Sequence, residues 1–426
     1  MNVLDFIAIL IVLAAFFTLI NLNFLKLPST IGLMLLALAL SAFIILGGLV
    51  FSDVTRIATN IMTEFDFSDV LFDVMLSFLL FAGALEINLR KLGEEKWTIL
   101  ALATLGVLIS TFVIGTVMYV ILPFLGLSLS YIYCLLFGAL ISPTDPISVL
   151  AMLKKYNMSK NLESQIAGES LFNDGVGVVV FLSIFSVART GVDNFEPFNV
   201  LELFGLEVGG GLLLGVVFGY IGLYLLKIID NEHTEIEVLV TLSMVLGGSR
   251  LADHIGVSGP LAMVVMGLFV GRKGRSKSLE NVAGEYVYKF WHLMDEAMNA
   301  ILFILIGMQV ILIKFEVDYL YSASIAIVVV LLGRAFGVGL PIFAMRIRKY
   351  FPQYTVRILT WSGLRGGISV ALALSLYHPY KGFELDAHVA DLITTMTYGV
   401  VLFSIVVQGL TIKGLFQRFA KANPPS

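Results

Sequence analysis

Two short polar interruptions of otherwise apolar sequence hold most of the groups able to do chemistry. The first is Ser142-Pro143-Thr144-Asp145-Pro146 and the second Gly168-Glu169-Ser170-Leu171-Phe172-Asn173-Asp174-Gly175-Val176-Gly177. At helical spacing Glu169, Ser170, Asn173, Asp174 and Gly177 share an arc of about 140°, so one face carries every side-chain oxygen of the second segment. A carboxylate in hydrocarbon is costly, and where one occurs it faces a partner or a water-lined path for ions or protons. Asp174 stands in the middle of its apolar stretch and reads as such a functional carboxylate rather than as a cap. Glu169 lies nearer one end, where an ion pair with Arg334 or Arg365 is at least as good a reading as direct contact with a cation.

Hard monovalent cations need several oxygen ligands, and Asp174, Ser170, Asp145 and Thr144 could supply carboxylate, hydroxyl and carbonyl oxygen. An ionised carboxylate attracts protons as well as cations, and partial desolvation favours its protonated form. If the two guests exclude one another and the site opens to either side only when occupied, exchange follows. Asp145 and Asp174 could also be drawn as an acid/base pair. However, Gly168 to Phe172 is no nucleophile elbow, and none of the five histidines has zinc-ligand spacing, so the chain reads as neither an enzyme nor a cofactor protein. A cation-coupled symporter of an organic solute would share these features but needs a larger pocket. The amphipathic segment Lys289 to Asn299 could line one, although the wall of a cytoplasmic funnel is its plainer role.

The elements that must position these groups are membrane helices. Hydrophobic residues make up 58% of the 426 positions and charged ones 14%, against about 45–50% and about 25% in soluble domains. Repeated apolar runs of roughly 18 residues or more, each able to cross about 30 Å of hydrocarbon as a helix, imply an all-α polytopic membrane protein and exclude a β-barrel. The expected spans are 4–22, 31–50, 70–88, 98–123, 130–152, 164–188, 200–228, 234–251, 255–271, 285–312, 320–345, 354–376 and 389–412, about thirteen helices. The least distinct boundary is that between spans eight and nine, at Asp253, His254 and Gly256. Cys134 is the single cysteine, inside span five, so no internal disulfide forms and packing is its expected role. The net charge of −4 is segregated among loops, and nucleic acid is not an expected partner. MNVLDF has no basic region, so the first apolar run reads as a retained helix.

Basic residues set the expected orientation. Arg90, Lys91 and Lys96, Lys154, Lys155 and Lys160, and Arg346, Arg348, Lys349 and Arg357 cluster after odd-numbered spans, as do Arg272, Lys273, Arg275 and Lys277. The opposite loops hold Arg56, Arg189, Arg250, Lys314 and Lys381. The positive-inside rule then places the N-terminus outside and the C-terminus in the cytoplasm of an inner or plasma membrane. Lys289, Arg334 and Arg365 fall within spans. Span five is broken by Pro143 and Pro146 around Asp145, and span twelve by Gly363, Gly366 and Gly367 around Arg365. Seven spans apart, the two run oppositely, which is the pattern of inverted repeats with an ion site at the midplane. Helices 1–6 and 8–13 would form the repeats and helix seven the link.

With TDP in span five, GESLFND in span six and GLRGG in span twelve, the sequence resembles the sodium/proton exchangers of the cation/proton antiporter-1 family, especially its prokaryotic NhaP-type members. GESLFND is the specific motif; TDP alone is weak. The resemblance implies a six-helix core, residues 98–188 and 319–412, with discontinuous helices five and twelve crossing. Dimerisation-domain helices would come from 1–97 and, with the linking helix, 189–318, followed by a short cytoplasmic tail, 413–426. It also implies a homodimer that exchanges sodium or lithium for protons in pH homeostasis; potassium/proton exchange is the neighbouring alternative. Asp174 would be the shared carboxylate, Ser170 and the Thr144 backbone ligands, and Asp145 a direct or water-mediated contributor. Asn173 stands where electrogenic relatives carry a second aspartate, which implies electroneutral one-for-one exchange. Glu169, Arg334 and Arg365 would form the charged support. The long regulatory tail of the animal members is missing, so direct control by pH is expected.

Overall fold

The computed structural model describes residues 3–48, 52–64, 70–155, 160–191, 197–229, 234–274, 282–313, 316–347, 349, 351–352, 354–377 and 385–422. Among them every regular element is a helix, and the sole strand-like contact is one isolated bridge between Asp145 and Leu364. Each of the thirteen expected intervals is occupied by helix. Nine helices among the described residues are long and apolar enough to cross a membrane, and shorter apolar helices fill Leu76–Glu86, Tyr131–Ile141, Gly259–Gly271 and Gly367–Tyr377. Large apolar side chains point outward along their length, with Phe198 73% and Tyr224 67% exposed. On a soluble surface such a face would aggregate, whereas in lipid it is solvated.

In chain order, α1 is Val3–Ile20, α2 Ser29–Gly48, α3 Ser52–Glu64 and α4 Leu76–Glu86. The stretch holding α3 was expected to be a loop. Its thirteen residues are too polar to span a bilayer but amphipathic enough to form a helix lying along an interface. Helix α5 runs from Leu89 to Leu125, 37 residues, and so begins nine residues before the expected span. Asn88 starts it, its side-chain oxygen accepting from Arg90 N at 3.1 Å and Lys91 N at 3.4 Å. At 1.5 Å per residue it exceeds the roughly 30 Å hydrocarbon thickness, so its first turns stand outside.

Span five divides into α6, Tyr131–Ile141, and α7, Ile147–Lys155; α8 is Lys160–Thr190. Next come α9, Pro197–Ile228, α10, Thr234–Ile255, and α11, Gly259–Gly274. The expected boundary between spans eight and nine is drawn by Gly256 at φ +70°, with Val257 N bonded to Ala252 O and Gly256 N to Asp253 O. This is the left-handed helix stop that glycine favours. Helix α12 is Val282–Gln309 and α13 Val317–Met345. Span twelve divides into α14, Thr355–Trp361, and α15, Gly367–Leu374. Helix α16, Ala387–Phe403, passes through a π turn, Ser404–Gln408, into α17, Gly409–Ala422, so much of the expected tail is helical.

Packing follows two groupings. Helix α5 lies against α6 and α13, α8 against α5 and α6, and α13 against α16. Helix α11 lies between α4 and α9, and α12 between α2 and α4. In the second grouping Trp291 of α12 is buried against Phe81 of α4, ring centroids 4.6 Å apart, and donates from Nε1 to Thr241 Oγ1 of α10 at 2.9 Å.

Candidate functional site

The two broken spans meet at their breaks. Pro143 has no N–H to continue α6, and Ser142 Oγ instead donates to Gly138 O at 2.6 Å. Asp145 N donates to Leu364 O at 2.8 Å, so two extended stretches touch where four helix ends converge. Each end carries a half-dipole, negative at the carbonyl ends of α6 and α14 and positive at the amide ends of α7 and α15.

Each of those ends finds an opposite charge. Arg365 Nη1 donates to Ser142 O at 2.6 Å and Pro143 O at 2.9 Å, closing the carbonyl end of α6. Arg334 Nε donates to Leu359 O at 3.3 Å near the end of α14. At the amide ends stands Asp145, whose Oδ1 accepts from Ile147 N at 2.9 Å. A Cβ on Gly366, just before α15, would lie 2.8 Å from Asp145 Oδ2, and one on Gly363 would lie 2.6 Å from Arg334 Nε. The glycines of the GLRGG segment let charged groups approach the backbone at the break.

The polar face of α8 is fastened to this crossing. Glu169 and Arg334, 1% and 4% exposed, form a two-pronged ion pair, Oε1–Nη1 2.6 Å and Oε2–Nη2 2.8 Å. Asn173 Nδ2 donates to Thr144 Oγ1 and to Glu169 Oε1, both at 2.9 Å, and its Oδ1 accepts from Thr144 N at 3.4 Å. Ser170 Oγ donates to Thr144 O. Asn173 therefore braces α8 against the break, with both ends of its amide engaged, rather than offering an oxygen outward.

Asp174 differs from its neighbours. It is half-buried, in electrostatic range of Asp145 and Glu169, yet among the described residues no hydrogen bond or ion pair engages its carboxylate. Glu169 is neutralised by Arg334 and Asp145 is met by helix amide ends. An ionised Asp174 would call for a mobile counter-charge, because a bare carboxylate in a membrane interior is costly. A proton or a monovalent cation would serve, the latter with Asp174, Ser170 Oγ, Thr144 O and the second oxygen of Asp145 as ligands.

All eight residues singled out from the sequence therefore gather at one crossing, but the two arginines divide their work. Pairing with Glu169 falls to Arg334. Arg365 lies in electrostatic range of Glu169 but spends its bonds on the α6 carbonyls. Two residues escaped sequence reasoning. Ser404 Oγ accepts from Arg365 N at 2.9 Å, and Gln408 Nε2 donates to Trp361 O at 3.0 Å. Their signal was a pair of polar side chains four apart inside an apolar span.

The profile of the family described as sodium/hydrogen exchanger, transmembrane, matches residues 11–418. The Na(+)/H(+) antiporter NhaP of Pseudomonas aeruginosa is 43% identical over 427 residues, covering 99% of this chain and 98% of its own. The Na(+)/H(+) antiporter NhaH of Halobacillus aidingensis is 31% identical, covering 98% of each chain. Among solved structures, the sodium proton antiporter MjNhaP1 of Methanocaldococcus jannaschii at pH 8 has the same fold, with TM-score 0.74 at 21% identity over 97% of this chain and 98% of its own.

Proposed function

The chain belongs to the sodium/hydrogen exchanger family, and on that premise we propose that it is a multi-pass membrane antiporter exchanging sodium or lithium for protons by alternating access at one carboxylate, Asp174. The observation that carries this reading is the uncommitted carboxylate of Asp174 beside Glu169, which Arg334 neutralises, and Asp145, which accepts from Ile147 N. Sodium bound there would be held by Asp174, Ser170 Oγ, Thr144 O and Asp145, and would be displaced when Asp174 takes a proton. An empty, ionised site faces a dry barrier to crossing, whereas either occupied form is neutral at that position. This difference couples one flux to the other.

Electroneutral one-for-one exchange follows if Asn173 stays neutral, Glu169 stays paired and Asp145 keeps one protonation state throughout, leaving Asp174 as the single titrating carboxylate per cycle. The grouping of α5–α8 with α13–α17 supports a six-helix core that moves, and the packing of α4, α9, α10, α11 and α12 supports a separate framework. On this reading helices 1–6 and 8–13 are inverted repeats, the framework mediates a homodimer in the cell membrane, and the N-terminus lies outside with the C-terminus in the cytoplasm.

The test is cation-dependent proton flux. Purified protein in liposomes with an internal pH dye should move protons when sodium or lithium gradients are imposed across a panel of salts, and Asp174→Ala should not. Transport unchanged in that variant removes the assignment.

A further inference from the structure

The Asp174 site leaves a second polar path in α12 without a role. Glu86, at the end of α4, touches His292, Oε1 to Nδ1 3.0 Å, and His292 Nε2 lies 3.7 Å from Glu296 Oε1. These three side chains are open to solvent at the mouth, 32%, 47% and 67% exposed. One turn inward is Asp295, half-buried and in electrostatic range of Glu86 and His292 on the outer side and of Asp145 on the inner side. Asp295 thus stands between the mouth and the crossing. Among the described residues no lysine or arginine pairs with it; Lys289, the one lysine or arginine on α12, is bound to Glu285 at 2.7 Å.

Asn299, one further turn along, is 4% exposed and close to the Asp295 carboxylate, but neither its Nδ2 nor its Oδ1 makes a bond of hydrogen-bond geometry. Buried amides are almost always satisfied, so an orphaned one beside an unpaired carboxylate marks a place for a guest. A carboxylate and an amide oxygen are hard donors, suited to a monovalent cation that keeps part of its water. Asparagine also adds no charge to compete with Asp174.

We propose that Asp295 and Asn299 form a transit site at which a monovalent cation pauses between the mouth and Asp174. The inference rests on the exchanger reading above and extends it to how the substrate arrives. The transit site is carried by α12, packed on α2 and α4, whereas the exchange site is carried by the crossing and α8. A cation held there raises the local supply to Asp174 from this face alone. Its loss therefore raises the sodium concentration needed for half-maximal exchange from the Glu86 side and leaves the opposite side unaffected.

The probe is sodium itself, as radioactive 22Na+, on the purified full-length protein. In Asp174→Asn a weak residual sodium site should remain, and Asp295→Asn added to it should abolish that site. In sided vesicles, Asp295→Asn and Asn299→Leu should each raise half-saturating sodium on the Glu86 face about threefold or more, a larger change than in maximal rate, and Asp295→Glu should restore it. Glu94→Gln removes an exposed charge at the start of α5, close after Glu86, and controls for general surface potential; it should shift nothing. No residual sodium binding in Asp174→Asn, or equal half-saturation in Asp295→Asn and wild type, overturns the transit site. If the wild type itself drives no proton flux on a sodium gradient, the exchanger reading fails, and the transit site with it.

Discussion

Three acidic side chains sit around one crossing, and their different partners give them different work. Glu169 is locked in a buried two-pronged pair, so Arg334→Met leaves a carboxylate uncompensated and should cost about 3–5 kcal/mol. The drop should appear as a lower melting midpoint in detergent, and adding Glu169→Leu should recover most of it, since replacing both charges by apolar groups is often neutral. Asp174 has no such partner, and on the proposed reading protons and sodium compete for it. As pH falls, more of the carboxylate is protonated and half-saturating sodium should rise, by up to about tenfold per pH unit in the acid limit, with the maximal rate little changed. Dye-based flux measured over a grid of pH and sodium checks the sign: half-saturation that falls with acidification would exclude a shared carboxylate. Asn173 keeps its amide engaged on Thr144 and Glu169, and that role was not legible from its place beside Asp174.

At the scale of elements, the breaks in spans five and twelve convert helix ends into site walls. Pro143, Pro146 and the glycines after Ser362 stop the helices, and Arg365, Arg334 and Asp145 then answer the exposed dipoles. Gly366→Ala should be poorly tolerated, because its Cβ would lie 2.8 Å from both Cβ and Oδ2 of Asp145. Crowding there must displace Asp145 or the start of α15, so sodium-dependent flux should fall at least about tenfold. Thermal stability should shift by no more than about 1–3 kcal/mol. A Gly366→Ala protein with wild-type flux would mean that the crossing has slack the packing does not show. The breaks were evident in the sequence from proline and glycine flanking a charge. The early start of α5 at Asn88 and the amphipathic α3 were not, because a search for apolar runs passes over polar helices at the interface.

For the whole molecule, the proposed single titrating carboxylate would mean electrical silence. Exchange in liposomes clamped with potassium and valinomycin should proceed at the same rate at either sign of an imposed voltage. In Asn173→Asp the added carboxylate should make the rate voltage-dependent or halt it. A voltage response in the wild type would rule out one-for-one exchange. On the alternating-access reading the two packing groupings would be the moving bodies, since α8 and the crossing share one and α12, with Asp295 and Asn299, belongs to the other.

The sequence by itself determined the solvent, the class and the inventory. Apolar run length allows only helices in lipid, broken helices need proline or glycine, and a helical period of 3.6 residues puts Glu169, Ser170, Asn173 and Asp174 on one face. Only the tertiary structure decided the pairings. Arg334 and Arg365 both lay within spans and both were candidates for Glu169, and no local rule chooses between partners on different helices. That choice came from where the crossing placed the carbonyls of Ser142 and Pro143: they lie beside Arg365 and draw it away. Asp174 was thereby left as the carboxylate without a fixed counter-charge, because the opposite charges within reach were already committed.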